Sequence, residues 1–229
     1  MNKCIVRNLD VDINNNNLEF IDGLYLEINT ESPKQRLISI TPLEDAQLTI
    51  EVIGDGDITN EDGSVVYGKQ HTISYTLPFG STNLSFTTNT NAILIRDCSK
   101  LKDIGNIYGK PTCFVATLDR FKRCVNATSL RCSNMGDFTG NIIELSPLTK
   151  INDLHFYLAQ ISGTWEEFIE NQVKLGRRGG EISIRIDGVL FNGASLSNSA
   201  RIIYSEDKVE VFDEDTLKGT YQNSSWSYV

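Results

Sequence analysis

Apolar and polar positions alternate in one short pattern that recurs between residues 128 and 187. It reads Thr128-Ser-Leu-Arg-Cys-Ser133, then Asp153-Leu-His-Phe-Tyr-Leu158, then Glu181-Ile-Ser-Ile-Arg-Ile186. Setting Leu130 beside Leu154 and Ile182 puts an apolar-x-apolar core in register at spacings of about 24 and 28 residues, inside the range of solenoid repeats. The connecting segments match as well. Phe138-Thr-Gly-Asn141 answers Ile161-Ser-Gly-Thr164, and each leads into a helix-like run. Thr164 with Glu167 forms a capping box, and Trp165, Phe168, Ile169, Gln172 and Val173 give a helical face that ends at Gly176. In the preceding unit Ser146-Pro147 is expected to open a shorter turn of helix. A more divergent first unit is expected from the strand-like Ala92-Ile-Leu-Ile-Arg96, a Gly-Asn turn at Asp103-Ile-Gly-Asn106, an enlarged loop near Tyr108 to Cys113, and Leu118, Phe121, Cys124 and Val125 at helical spacing.

Before the repeats the signals are almost all β. The run Asn14 to Asn17 reads as a hairpin tip between two strand candidates. Arg36–Ile40, Gln47–Ile53, Ser64–Tyr67, Thr72–Leu77 and Asn83–Thr88 follow as short β-branched or aromatic runs. After the repeats, Val189-Leu-Phe191, the turn dipeptide Asn192-Gly193, Arg201–Tyr204, Val209–Phe212, Thr220-Tyr221 and Ser225–Val229 read as strands closing the last unit. The expected fold is α+β and mainly β. An N-terminal antiparallel β module, a sandwich or barrel over 1–90 that docks or oligomerises, precedes a short irregular leucine-rich-repeat solenoid over 91–229, with a β cap from about 188.

Composition narrows the chemistry. The chain has 229 residues, of which 40% are apolar, enough for a core without metal or disulfide support. Its five cysteines lack the paired spacing of a zinc site, and Cys98, Cys124 and Cys132, within or beside repeat elements, read as small buried hydrophobes. A formal charge of −9 without any basic run argues against nucleic-acid binding. No segment approaches the roughly 20 apolar residues of a membrane span, and Met1-Asn-Lys-Cys-Ile-Val-Arg7 has no long apolar stretch, so the sequons at Asn83, Asn126 and Asn223 carry little weight.

Catalytic and ligand motifs are thin. Asp55-Gly-Asp57-Ile-Thr-Asn60-Glu-Asp62-Gly63 offers oxygen ligands but lacks the Gly and bidentate Glu of an EF-hand, so a hairpin loop explains it better than calcium. Gly176-Arg-Arg-Gly-Gly180 follows a helix, where a phosphate loop would precede one, and fits a helix C-cap with a turn. Glu166 and Glu167 suit the dipole of a helix start. The two histidines, His71 and His155, fall in different modules, and neither Gly-x-Ser-x-Gly nor His-Glu-x-x-His is present. The chain therefore reads as a non-enzyme without cofactor or metal.

Alternation supplies one candidate surface. If Leu130, Cys132, Leu154, Phe156, Ile182 and Ile184 point inward, Arg131, His155 and Ser183 form one outward row. Ser133, Tyr157 and Arg185 form the next, extended by Arg96. Arg and Tyr are enriched at interface hot spots, so Arg96, Arg131, Ser133, His155, Tyr157 and Arg185 are the candidate partner-contact face, with a solvated strand face as the alternative.

The stretches Thr139-Gly-Asn-Ile, Leu148-Thr-Lys-Ile-Asn-Asp-Leu, Gln160-Ile-Ser-Gly-Thr-Trp-Glu-Glu-Phe, Gln172-Val-Lys-Leu-Gly-Arg-Arg-Gly-Gly-Glu-Ile and Val189-Leu-Phe-Asn-Gly resemble leucine-rich-repeat proteins of crAss-like tailed phages of gut Bacteroidales and of their hosts' prophages. The likeness covers about residues 90–195 and rests on Ile-Ser-Gly-x-x-Glu-x-Phe paired with Gly-Arg-x-x-Gly. The resemblance implies a virion structural protein, a head fibre or capsid decoration on the capsid surface. It would be made in the host cytoplasm, form a homodimer or homotrimer, and contact capsid or other virion proteins and a host surface glycan or protein. A receptor- or glycan-binding tail adhesin and a non-virion repeat protein remain the alternatives.

Overall fold

The computed structural model describes residues 23–29, 31, 36–44, 46–54, 57–59, 62–66, 72–77, 80–87, 90–105, 113–132, 138–156 and 159–229. The N-terminal strands are β1 (Gly23–Ile28), β2 (Leu37–Pro42), β3 (Leu48–Gly54), β4 (Ile58–Thr59), β5 (Val65–Val66), β6 (Thr72–Leu77), β7 (Thr82–Phe86) and β8 (Thr90–Arg96). Then come β9 (Leu101–Gly105), β10 (Phe114–Thr117), β11 (Ser129–Arg131), β12 (Phe138–Asn141), β13 (Asp153–Phe156), β14 (Gln160–Ser162), helix α1 (Trp165–Lys174) and β15 (Gly180–Ile186). The remainder is β16 (Leu190–Phe191), β17 (Ala194–Ser195), β18 (Ala200–Tyr204), β19 (Lys208–Asp213), β20 (Thr216–Gln222) and β21 (Ser225–Tyr228). The chain is mainly β, as expected. The Asn14 to Asn17 hairpin tip and the 108–112 loop lie outside the described residues.

Two sheets share one core. The smaller runs β14-β12-β10-β1-β8-β3-β6 and the larger β21-β20-β19-β18-β15-β13-β11-β9-β2-β7-β4-β5. Leu24, Leu26, Ile50, Val52, Ile93 and Ile95 of the first sheet and Ile38, Ile40, Ile104, Leu130, Leu154 and Ile184 of the second belong to the same buried cluster. Strands from both sides of residue 90 enter both sheets: β1 pairs with β8 and with β10, and β2 pairs with β7 and with β9. The expected junction at residue 90 thus coincides with the start of β8, a strand that lies between β1 and β3.

In the middle of the large sheet the pairing changes from antiparallel to parallel. β9, β11, β13 and β15 are parallel neighbours, and so are β10, β12 and β14 across the core. β9, β11 and β13 are each followed by a strand of the second set and then by a short helix: 3-10 turns at Leu118–Arg123 and Ile142–Leu145, and α1 in the third unit. A parallel neighbour demands such a crossover, because no tight turn can return the chain in the same direction. The register is Ile104, Leu130, Leu154, Ile184, at spacings of about 26, 24 and 30 residues.

This register corrects three expectations. Leu154 faces Ile184, two residues beyond Ile182, because alternation alone is unchanged by a shift of two. The first strand of the parallel row is Leu101–Gly105, read from sequence as a turn, whereas Thr90–Arg96 lies in the other sheet. The short helix of the second unit precedes Ser146-Pro147: Asn141 caps it, its Oδ1 accepting from Ile143 N at 3.0 Å. Asn141 and Thr164 therefore play the same part in successive units, since Thr164 Oγ1 accepts from Glu167 N at 3.3 Å at the start of α1.

Helix α1 buries Trp165, Phe168, Ile169 and Gln172 and ends before Gly176, whose φ of 96° favours glycine. The Gly176–Gly180 segment is the expected cap and turn. Its Arg177 is a buried pin, donating to Ile151 O at 2.6 Å and Gln172 Oε1 at 3.2 Å, with its guanidinium 4.3 Å from the Tyr204 ring centroid. Beyond β15 the chain turns back as the antiparallel meander β18 to β21, which extends the large sheet on that side, while Asn192-Gly193 turns the β16–β17 hairpin.

Phe121, Phe138 and Phe156, one from each of three consecutive segments, meet in the core with ring centroids 5.7–6.4 Å apart. All three are fully buried. Phe138→Ala should cost about 3–5 kcal/mol of unfolding free energy in urea titration. A loss below about 1 kcal/mol would mean that the stacked units do not share this core.

Candidate functional site

Inward packing of Ile104, Leu130, Leu154 and Ile184 fixes what the large sheet shows to solvent, because neighbours along a strand face opposite sides. One outward row is Thr41, Asp103, Ser129, Asp153, Ser183 and Arg201, and the other is Asn83, Ser39, Gly105, Arg131, His155 and Arg185. Arg131, His155 and Arg185 therefore share a row, and Ser183 joins Asp153. Arg96 stands apart in the other sheet, where it holds Glu51 through two 3.0 Å hydrogen bonds. Ser133, Tyr157 and His71 lie outside the described residues.

Asp153 is the centre of this face. Its side chain is only 11% exposed, and Oδ2 accepts from Arg131 Nε at 2.5 Å and Ser129 Oγ at 3.4 Å. His155 Nε2 approaches Oδ1 to 2.7 Å. Burial pushes the carboxyl pKa up, yet His155 and Arg131 outweigh burial and hold it below the ordinary value. One strand away, Asp103 Oδ1 accepts from Thr128 Oγ1 at 2.8 Å.

Ser129, His155 and Asp153 are the residue types of a hydrolytic triad, but their order is wrong for one. The carboxylate lies between serine and histidine, whereas a base must reach the serine hydroxyl itself. Fixed this way, the set orders charges on a strand face and activates no nucleophile.

Beside this network lies a pocket of about 400 Å³ lined by Ser39, Thr41, Ser81, Asp103, Ile104, Gly105, Ser129, Arg131 and Asn152. Sequence reasoning missed Asp153, Asp103 and the Ser39–Ser81 wall. The alternation marks Asp103 and Asp153 as outward once β9 is in register, but no local signal brings β2 alongside β9.

The other candidate centres are structural. Among the described residues Cys98, Cys113, Cys124 and Cys132 are buried, and burial pushes the Cys132 thiol up. No three His, Cys, Asp or Glu among the described residues are grouped to hold a metal. Asp62 Oδ1 accepts from Ser64 N and Oγ, at 2.8 and 2.6 Å, beside the antiparallel pair β4–β5, as the hairpin reading required. No helix among the described residues is long and apolar enough to cross a membrane.

No family model, curated protein or solved structure matches the chain.

The Asp153 network makes a pH prediction. A depressed carboxyl pKa contributes stability that is fully present above its unfolded value of about 3.9 and is lost as pH falls through the folded value. Asp153→Asn should cost about 1 kcal/mol at pH 7, a modest figure because Arg131 is largely exposed and screened. The gap from wild type should narrow below about pH 4 in urea titrations run across pH. A gap that persists at pH 2.5 would assign the loss to packing.

Proposed function

We propose that this chain is a binding and assembly protein, a phage virion structural component of the head-fibre or capsid-decoration kind. Its parallel rows act as a short leucine-rich-repeat solenoid. The observation that supports this most is the stack β9, β11, β13, β15, whose inward side is continuous aliphatic core and whose outward side is a rigid, polar, charge-paired surface. Such a surface presents side chains at strand spacing of about 4.8 Å without needing loops to hold them. The N-terminal strands, joined to the same sheets, supply the docking or self-association side, as a homodimer or homotrimer. Weak contacts per copy become strong in a particle that carries many, through effective concentration.

Labelling intact purified particles with an antibody raised to the folded chain, and imaging them, tests this reading. Label spread over the capsid is the expected outcome. Label confined to the tail tip would make the protein a receptor-binding adhesin, and unlabelled particles would remove it from the virion surface.

A further inference from the structure

The pocket between β2, β9 and β11 is a gap in an otherwise filled row. Ser39 stands on one side and Arg131 on the other, while Gly105 between them has no side chain. A Cβ at Gly105 would lie 2.5 Å from the Arg131 carbonyl oxygen, so close packing of β9 on β11 requires glycine and thereby opens the gap. At about 400 Å³ the gap falls within the range of small-ligand sites.

Its walls have a definite chemistry. Ser39, Thr41, Ser81 and Ser129 offer hydroxyls that both donate and accept, Asn152 offers an amide that does the same, Asp103 only accepts and Arg131 only donates. A ligand with adjacent hydroxyls meets partners for both its donors and its acceptors there. Formal charge does not favour an ion: Arg131 is already paired to Asp153, which leaves Asp103 to repel an anion. The hydroxyl-rich wall gives a cation only Asp103 as a formal charge, itself already accepting from Thr128. The walls are mostly strand residues, so the pocket keeps its shape without a loop closing over it.

We propose that this pocket binds a neutral saccharide, one or two pyranose units of a longer glycan, with Asp103 accepting from adjacent ring hydroxyls and Arg131 and Asn152 donating to others. The inference rests on the reading of the chain as an adhesive surface and names what that surface would grip.

The full chain is applied to an array of neutral hexose and N-acetylhexosamine oligosaccharides printed beside sulfated, sialylated and aminated ones. The best neutral oligosaccharide is then titrated calorimetrically. Asp103→Asn, which keeps the shape and removes the carboxylate, should weaken binding at least tenfold. Ser81→Trp, at the exposed rim beside Ser39, should abolish it, while Lys174→Ala, at the exposed end of α1 away from the pocket, should leave the affinity unchanged. Binding confined to charged glycans, or neutral-glycan binding that survives both pocket variants, would overturn the proposal. So would an array without signal from neutral sugars, even if the antibody still decorates virions.

Discussion

Everything on the exposed face depends on the aliphatic row Ile104, Leu130, Leu154, Ile184 stacking in parallel register. Parallel strands cannot be joined by tight turns, so the chain needs a crossover between successive strands of the row, and after β9, β11 and β13 it makes one from a second strand and a short helix. Those crossovers add β10, β12 and β14 to the opposite sheet and bring Phe121 and Phe138 against Phe156 of β13 in the core between them. Since successive residues of a strand face opposite ways, the buried row also determines which side chains meet in solvent.

The charge network is a product of this constraint. Asp153 begins its strand in the row of Asp103, Ser129 and Ser183, and Arg131 and His155 stand in the next row, close enough to reach it diagonally. A carboxylate so little exposed would be costly alone, and the Arg131 guanidinium, the His155 imidazole and the Ser129 hydroxyl offset that cost. The same contacts tie β11 to β13 beyond their backbone ladder. Rigidity and surface chemistry thus arise together.

Much of this was legible in the sequence where a pattern had only one solution. Trp165, Phe168, Ile169 and Gln172 after Thr164 fit only a helix, and β3, β6 and β7 follow from β-branched runs bounded by turn residues. The register of β15 was not legible, because Ile182, Ile184 and Ile186 look alike under a shift of two and only the length of the preceding crossover decides between them. β8 misled for a related reason: Ala92, Ile93, Leu94 and Ile95 are apolar in both parities and buried on both faces, so alternation does not say which sheet owns them. β9, with Lys102, Asp103 and Gly105, has the composition of a turn and is a strand because its neighbours are. The pocket lies where β2 meets β9, a pairing made across the whole N-terminal region, which local sequence cannot reveal.

The large sheet is parallel in its middle and antiparallel at both flanks, and this bears on how such a chain can change over generations. β11 and β13 meet only neighbours that run in their own direction, whereas β9 and β15 each meet one antiparallel strand, where the flanks terminate the stack on either side. Duplicating or deleting one interior unit would lengthen or shorten the polar rows and leave both terminators in place. Reach and valency can therefore drift by whole steps of about 24–30 residues, as links in a chain between fixed clasps, while the point mutations that retune a single row leave the architecture untouched.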